Sequence, residues 1–118
     1  GGGHPEELYE TFVSQLDRLP ANTEIYPGHD YITNNLAFTL DREPDNQAAS
    51  RLLEELEGSY DPAKPLVTSL ELERDINTFF RLTSPTVIEQ LRETFSDLPE
   101  RPSPKEVFLK LRELRNSW

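Results

Sequence analysis

The chain predicts a mainly α fold, helical with one short strand. Three observations carry that prediction. Apolar residues recur every three or four positions in six separate segments, the period of an amphipathic helix. Two Ser-Pro pairs and a Thr-x-x-Glu run stand ahead of such segments as helix starts. Only Thr23-Glu24-Ile25-Tyr26 has the β-branched and aromatic makeup of a strand.

Taken in order, Leu8, Phe12, Leu16 and Leu19 form the stripe of a first helix, with acidic residues in its first turn and Pro20 as its stop. The strand follows, and its backbone groups need partners. No second strand is legible, so its sheet is expected to lie in a part of the protein that precedes this chain, and the uncovered edge offers a route to self-association. A helix from Tyr31 to about Leu40 carries Ile32, Leu36 and Leu40 along one side, interrupted by Asn34 and Asn35. Asparagine is a poor helix-interior residue, so the pair suits either a polar task or a surface turn.

After Glu43-Pro44, Asp45 or Asn46 caps a helix whose stripe is Ala49, Leu52, Leu53 and Leu56, and which is expected to stop at Gly58. The segment from Ser59 to Val67, with Pro62 and Pro65, reads as an ordered loop. Thr68 and Glu71 have the form of a capping box before a helix through Leu72, Ile76 and Phe79. Ser84-Pro85 opens a helix through Val87, Ile88, Leu91 and Phe95. A proline-rich link from Leu98 to Pro104 leads to Ser103-Pro104-Lys105-Glu106, a full capping box, and to a last helix through Val107, Phe108, Leu111 and Leu114.

The 118 residues suffice for one core of modest size. A net charge of -10 argues against nucleic acid and anionic membrane surfaces as partners. No cysteine is present, so disulfide and thiol chemistry are excluded; this is compatible with a cytoplasmic setting. No apolar run approaches the ~20 residues of a membrane span. Gly1-Gly2-Gly3-His4-Pro5 has neither an initiator Met nor a signal-peptide pattern, and the natural chain is expected to begin earlier.

The stretch with the form of a site is Tyr26-Pro27-Gly28-His29-Asp30-Tyr31, running into Ile32-Thr33-Asn34-Asn35-Leu36. Pro27-Gly28 ends the strand and a helix is expected after Asp30, which sets His29 at the tip of a strand-to-helix turn, where α/β proteins commonly hold ligands. A metal needs several ligands and a lone histidine supplies one, so on residue chemistry alone His29 reads as an exposed or structural imidazole. Arg112 and Arg115 share one face of the last helix at the edge of its apolar stripe. Paired guanidinium groups suit a carboxylate, and equally complement the helix dipole at the surface.

The run from Tyr26 to Phe38 with Glu43-Pro44-Asp45-Asn46, then Asn77-Thr78-Phe79-Phe80-Arg81, then Val107 to Asn116, resembles in order the C-terminal part of glyoxalase II, the hydroxyacylglutathione hydrolases of the metallo-β-lactamase fold. The family's main His-x-His-x-Asp-His metal motif is missing from these residues. The resemblance implies that residues 1–40 end the αββα metallo-β-lactamase-fold domain, leaving the one strand behind, and that 41–118 form a helical substrate-binding domain. It implies a parent enzyme that hydrolyses an S-2-hydroxyacylglutathione such as S-lactoylglutathione at two divalent metal ions, zinc foremost, with iron or manganese as alternatives. Carried over by residue, His29 is a metal ligand, and Tyr31, Asn35, Arg112 and Arg115 contact the glutathione moiety. Lysine is common in the family at the position of Arg115.

No catalytic residue falls in this chain, Asp30 is read as a cap, and His4 matches no ligand. By itself the chain is expected to be inactive and to bind no metal stably, its partners being the thioester substrate and the missing N-terminal domain. Thr68 and Thr78 depart from the family pattern, which favours proline at both, and the loop before Thr68 is one residue shorter. Rival readings are another hydrolase or persulfide dioxygenase of the same fold, and a non-catalytic helical interaction domain.

Overall fold

The computed structural model describes residues 5–59, 61, 63, 64 and 66–118. His4, and Pro62 and Pro65 of the expected loop, lie outside them. The fold is mainly α, as the apolar periods require. The described residues form α1 (Pro5–Arg18), β1 (Glu24–Ile25), α2 (His29–Arg42), α3 (Gln47–Ser59), β2 (Thr68–Ser69), α4 (Leu70–Ile76), a 3-10 turn (Thr78–Phe80), α5 (Pro85–Thr94) and α6 (Pro104–Ser117). They divide into two compact units, Pro20–Arg81 and the pair of segments Gly1–Leu19 and Leu82–Trp118.

In the first unit, α2 packs on α3 through Ile32, Leu36, Ala49 and Leu56, closed from α4 by Ile76. Its other side is buried too: Phe38 stacks on Phe79 at 5.9 Å, and the fully buried Thr39 accepts a hydrogen bond at its Oγ1 from the Thr78 N–H (3.1 Å). The strand is not an orphan. β1 pairs antiparallel with β2, Glu24 opposite Ser69 and Ile25 opposite Thr68, and the Leu70 and Glu71 N–H groups extend the contact to the carbonyls of Thr23 and Ala21. The expected missing sheet is therefore not needed to satisfy this edge, because the chain returns to cover it.

Caps set the helix ends. Asn46 Oδ1 accepts from the Ala49 N–H (2.9 Å), which makes Asn46 the cap of α3. α3 runs through Gly58 to Ser59, and no glycine among the described residues has a positive φ. Before α4 the cap is Ser69, one residue later than the sequence suggests, because the Thr68 hydroxyl is spent on Glu73 Oε1 (2.9 Å). The expected longer helix breaks at Asn77, whose side chain donates to Glu73 Oε2 (3.0 Å) and accepts from the Phe79 N–H. A side chain that offers the backbone such bonds competes with the helical ladder.

In the second unit α6 packs on both α1 and α5. Val87, Leu91, Leu98, Val107, Phe108 and Leu111 are its buried apolar residues. α1 meets α6 through the rings of Tyr9 and Phe12, 5.3 and 5.7 Å from that of Phe108. Leu8 and Leu19, expected in the stripe, are 45% and 44% exposed. Ser84 caps α5, and Ser103 with Glu106 closes the full capping box on α6.

Candidate functional site

The site is built on α2, which starts two residues earlier than the sequence suggests. Gly28, extended at φ -68° and ψ 154°, is the residue before the helix, and its carbonyl accepts the first bond from the Ile32 N–H. His29 therefore sits on the first helical residue rather than in a loop. Asp30 lies inside the first turn and is not the cap; its carboxylate still complements the positive end of the helix. The His29 imidazole is about one-third exposed, with Nδ1 3.5 Å from Asp30 Oδ1, while Asp30 is fully exposed. Among the described residues no three His, Cys, Asp or Glu side chains gather closely enough to hold a metal. His29 fits a metal as one donor of a larger set, not as a centre in itself.

Two and six residues on, Tyr31 and Asn35, one helical turn apart, lie together at a small recess between α2 and α4, bounded also by Pro27, Glu73 and Asn77. The recess holds only about 10 Å³, room for a single water. Tyr31 is 66% exposed, and neither its hydroxyl nor the Asn35 amide has a hydrogen-bond partner among the described residues. Neighbouring Tyr26 differs: its hydroxyl donates to Glu24 Oε2 at 2.6 Å, and that carboxylate holds the phenol above its ordinary pKa.

Arg112 and Arg115 belong to the other unit, both half-buried on α6. Arg112 has no partner among the described residues, whereas the Arg115 guanidinium lies over the Trp118 ring, 5.1 Å from its centre. A larger open hollow of about 610 Å³ beside α5, lined by Ile88, Glu89, Arg92, Glu93 and Glu100, contains none of these residues.

The remaining signature residues form a buried clamp that sequence reading missed. Arg81 grips Glu43 with two parallel bonds, Nε to Oε1 (2.6 Å) and Nη2 to Oε2 (2.9 Å), and donates Nη1 to the Arg74 carbonyl. Asn46 Nδ2 adds bonds to Glu43 Oε1 (2.9 Å) and to the Asp75 carbonyl (2.7 Å). The carboxylate keeps the Arg81 guanidinium above even its usual high pKa. The two segments Glu43–Asn46 and Asn77–Arg81, far apart in sequence, are thus halves of one fastening. The signal available in sequence was an acid-amide motif paired with a later arginine; nothing marked Glu73, a helix carboxylate, as buried.

Residues 30–118 match the family model described as hydroxyacylglutathione hydrolase C-terminus, a match that begins at the residue after His29. The chain belongs to the hydroxyacylglutathione hydrolase family. It is 64% identical over 117 residues to the hydroxyacylglutathione hydrolase of Nitrosococcus oceani and 59% identical over 117 residues to that of Polaromonas sp.. A more distant hydroxyacylglutathione hydrolase, from Vibrio campbellii, is 34% identical over 119 residues. The alignments cover 98 to 99% of this chain but 44% of each relative, so the chain spans less than half the length of the hydroxyacylglutathione hydrolases it matches. No helix among the described residues is long and apolar enough to cross a membrane.

Proposed function

We propose that this chain is the glutathione-binding C-terminal part of an enzyme that hydrolyses S-2-hydroxyacylglutathione, such as S-lactoylglutathione, to the hydroxy acid and glutathione in the cytoplasm. The observation that carries the reading is the family match over residues 30–118, within which the side chains of Tyr31, Asn35 and Arg112 have no partner among the described residues. Residues 1–40 would close the metallo-β-lactamase-fold domain, and 41–118 would form the substrate-binding part.

Each residue then has a chemical task. Arg112 binds a carboxylate of glutathione through its guanidinium fork, with Arg115 beside it. Tyr31 offers a ring face and a hydroxyl to the tripeptide, and Asn35 offers an amide that both donates and accepts. These contacts fix the thioester so that one carbonyl meets one water, and the binding energy is used for orientation. His29 supplies one imidazole to a pair of divalent metal ions, zinc foremost, whose remaining ligands lie outside this chain. When bound, such ions supply an activated water and polarise the carbonyl. With one donor, the 118 residues alone neither hold that pair nor turn over substrate; zinc-dependent turnover by the isolated chain that vanished in His29→Ala would contradict this.

In the full-length enzyme, Arg112→Ala is expected to weaken S-lactoylglutathione binding by about 1 to 3 kcal/mol, the scale of a hydrogen bond to a charged group. An unchanged KM would remove the assignment.

A further inference from the structure

Arg115 is the one member of the arginine pair whose guanidinium is stacked on an aromatic ring. Its Cζ lies 5.1 Å from the centre of the Trp118 ring, within the range of a cation–π contact, and tryptophan is the strongest partner for one. The Trp118 N–H also returns to the Arg115 carbonyl (3.4 Å), so the same residue that follows α6 folds back on that arginine by backbone and by ring. The indole is 49% exposed, a large apolar surface left in solvent beside the candidate ligand contact. Arg112, one turn earlier, has no partner among the described residues.

We infer that Trp118 is a positioning residue for Arg115, holding its guanidinium in place so that a carboxylate of the ligand meets a cation already fixed. The inference rests on the reading of Arg115 as a glutathione contact. A ring contact over a guanidinium and carboxylate binding by its in-plane N–H groups use different parts of the side chain, so the two need not compete. Fixing the side chain beforehand removes an ordering cost that Arg112 has to meet on binding.

The test is steady-state kinetics on the full-length enzyme with S-lactoylglutathione. Trp118→Leu, which keeps apolar bulk and loses the ring, is expected to raise KM about two- to five-fold, the range of an exposed cation–π contact, with kcat unchanged. Trp118→Phe keeps a ring and is expected to retain most of the affinity. In an Arg115→Ala background Trp118→Leu should add nothing. Equal KM rises in the Phe and Leu variants, a fall in kcat, or an undiminished effect of Trp118→Leu in the Arg115→Ala background would overturn the inference. So would an unchanged KM in Trp118→Leu beside a raised KM in Arg115→Ala, and that outcome leaves the glutathione reading intact. An Arg115→Ala enzyme with normal KM removes the reading of Arg115 and the inference with it.

Discussion

In its N-terminal half α2 presents Tyr31 and Asn35 with no side-chain hydrogen bond among the described residues, whereas one turn past Asn35 Thr39, and then Glu43 and Asn46 just past the helix, are buried and bonded. Tyr31 and Asn35, and Glu43 and Asn46, belong to the same signature, with Thr39 between its two parts. The contrast separates two kinds of motif residue by physical state: those whose hydrogen-bonding capacity is used within the fold, and those that keep it for something else. A buried carboxylate without its partner is costly, while an exposed phenol without one is not. On the proposed reading, shape and recognition are divided along a single helix, and substitutions should report which part they touch.

The largest effect is expected at the buried end. Arg81→Ala leaves the Glu43 carboxylate, 4% exposed, without its fork and should lower the free energy of unfolding by about 3 to 5 kcal/mol, read by urea titration. Arg81→Lys, which keeps the charge but not two parallel bonds, should lose less. A change under about 0.5 kcal/mol in the alanine variant would mean that the clamp holds nothing.

A smaller effect of opposite sign is expected beside it. Thr78 Oγ1 is buried without a hydrogen-bond partner among the described residues, although the Thr78 N–H is well used by Thr39. Thr78→Val removes the stranded hydroxyl, keeps the shape and the N–H, and should stabilise by about 1 kcal/mol. Loss of stability would show that the hydroxyl is doing work that the structure does not reveal.

The smallest effect sharpens the comparison from the other unit, at Asp97, whose carboxylate lies in solvent. The hydrogen-bonded Lys110 ammonium, 3.0 Å away, holds the Asp97 carboxyl below the usual carboxylate range. Because the folded value lies below the unfolded one, the pair's contribution is complete above about pH 4 and fades as pH falls through the folded value. Asp97→Asn should flatten that acid-side decline slightly, and an unchanged acid limb would show the pair to be inert, as many surface pairs are.

Legibility in the sequence followed the range of the forces involved. Ser84-Pro85 and Ser103-Pro104 announced their helices correctly because a cap bonds within three residues, and the apolar stripes of α2, α3, α5 and α6 were read from a local period. The pairing of Glu24 and Ile25 with Ser69 and Thr68 was not legible, since two residues leave no alternation to detect. The break at Asn77 and the displaced cap at Ser69 share one cause, the buried Glu73, which takes the Thr68 hydroxyl and the Asn77 amide at once. A glutamate in a helix reads as exposed, and only the folded chain brings those two residues to it. At the candidate site, His29, Tyr31 and Asn35 were proposed from the order of their motifs, and the helix that carries them was started too late because Gly28, rather than Asp30, stands before it.

The measurement that most directly tests the division of labour along α2 is a paired one on the full-length enzyme: KM for S-lactoylglutathione and the urea midpoint of unfolding, for Tyr31→Ala against the parent. An exposed residue that serves recognition should raise KM several-fold while the unfolding free energy stays within about 0.5 kcal/mol. A lowered midpoint with an unchanged KM would place Tyr31 among the residues that hold the fold, and would contradict the assignment of the free end of the helix to the ligand.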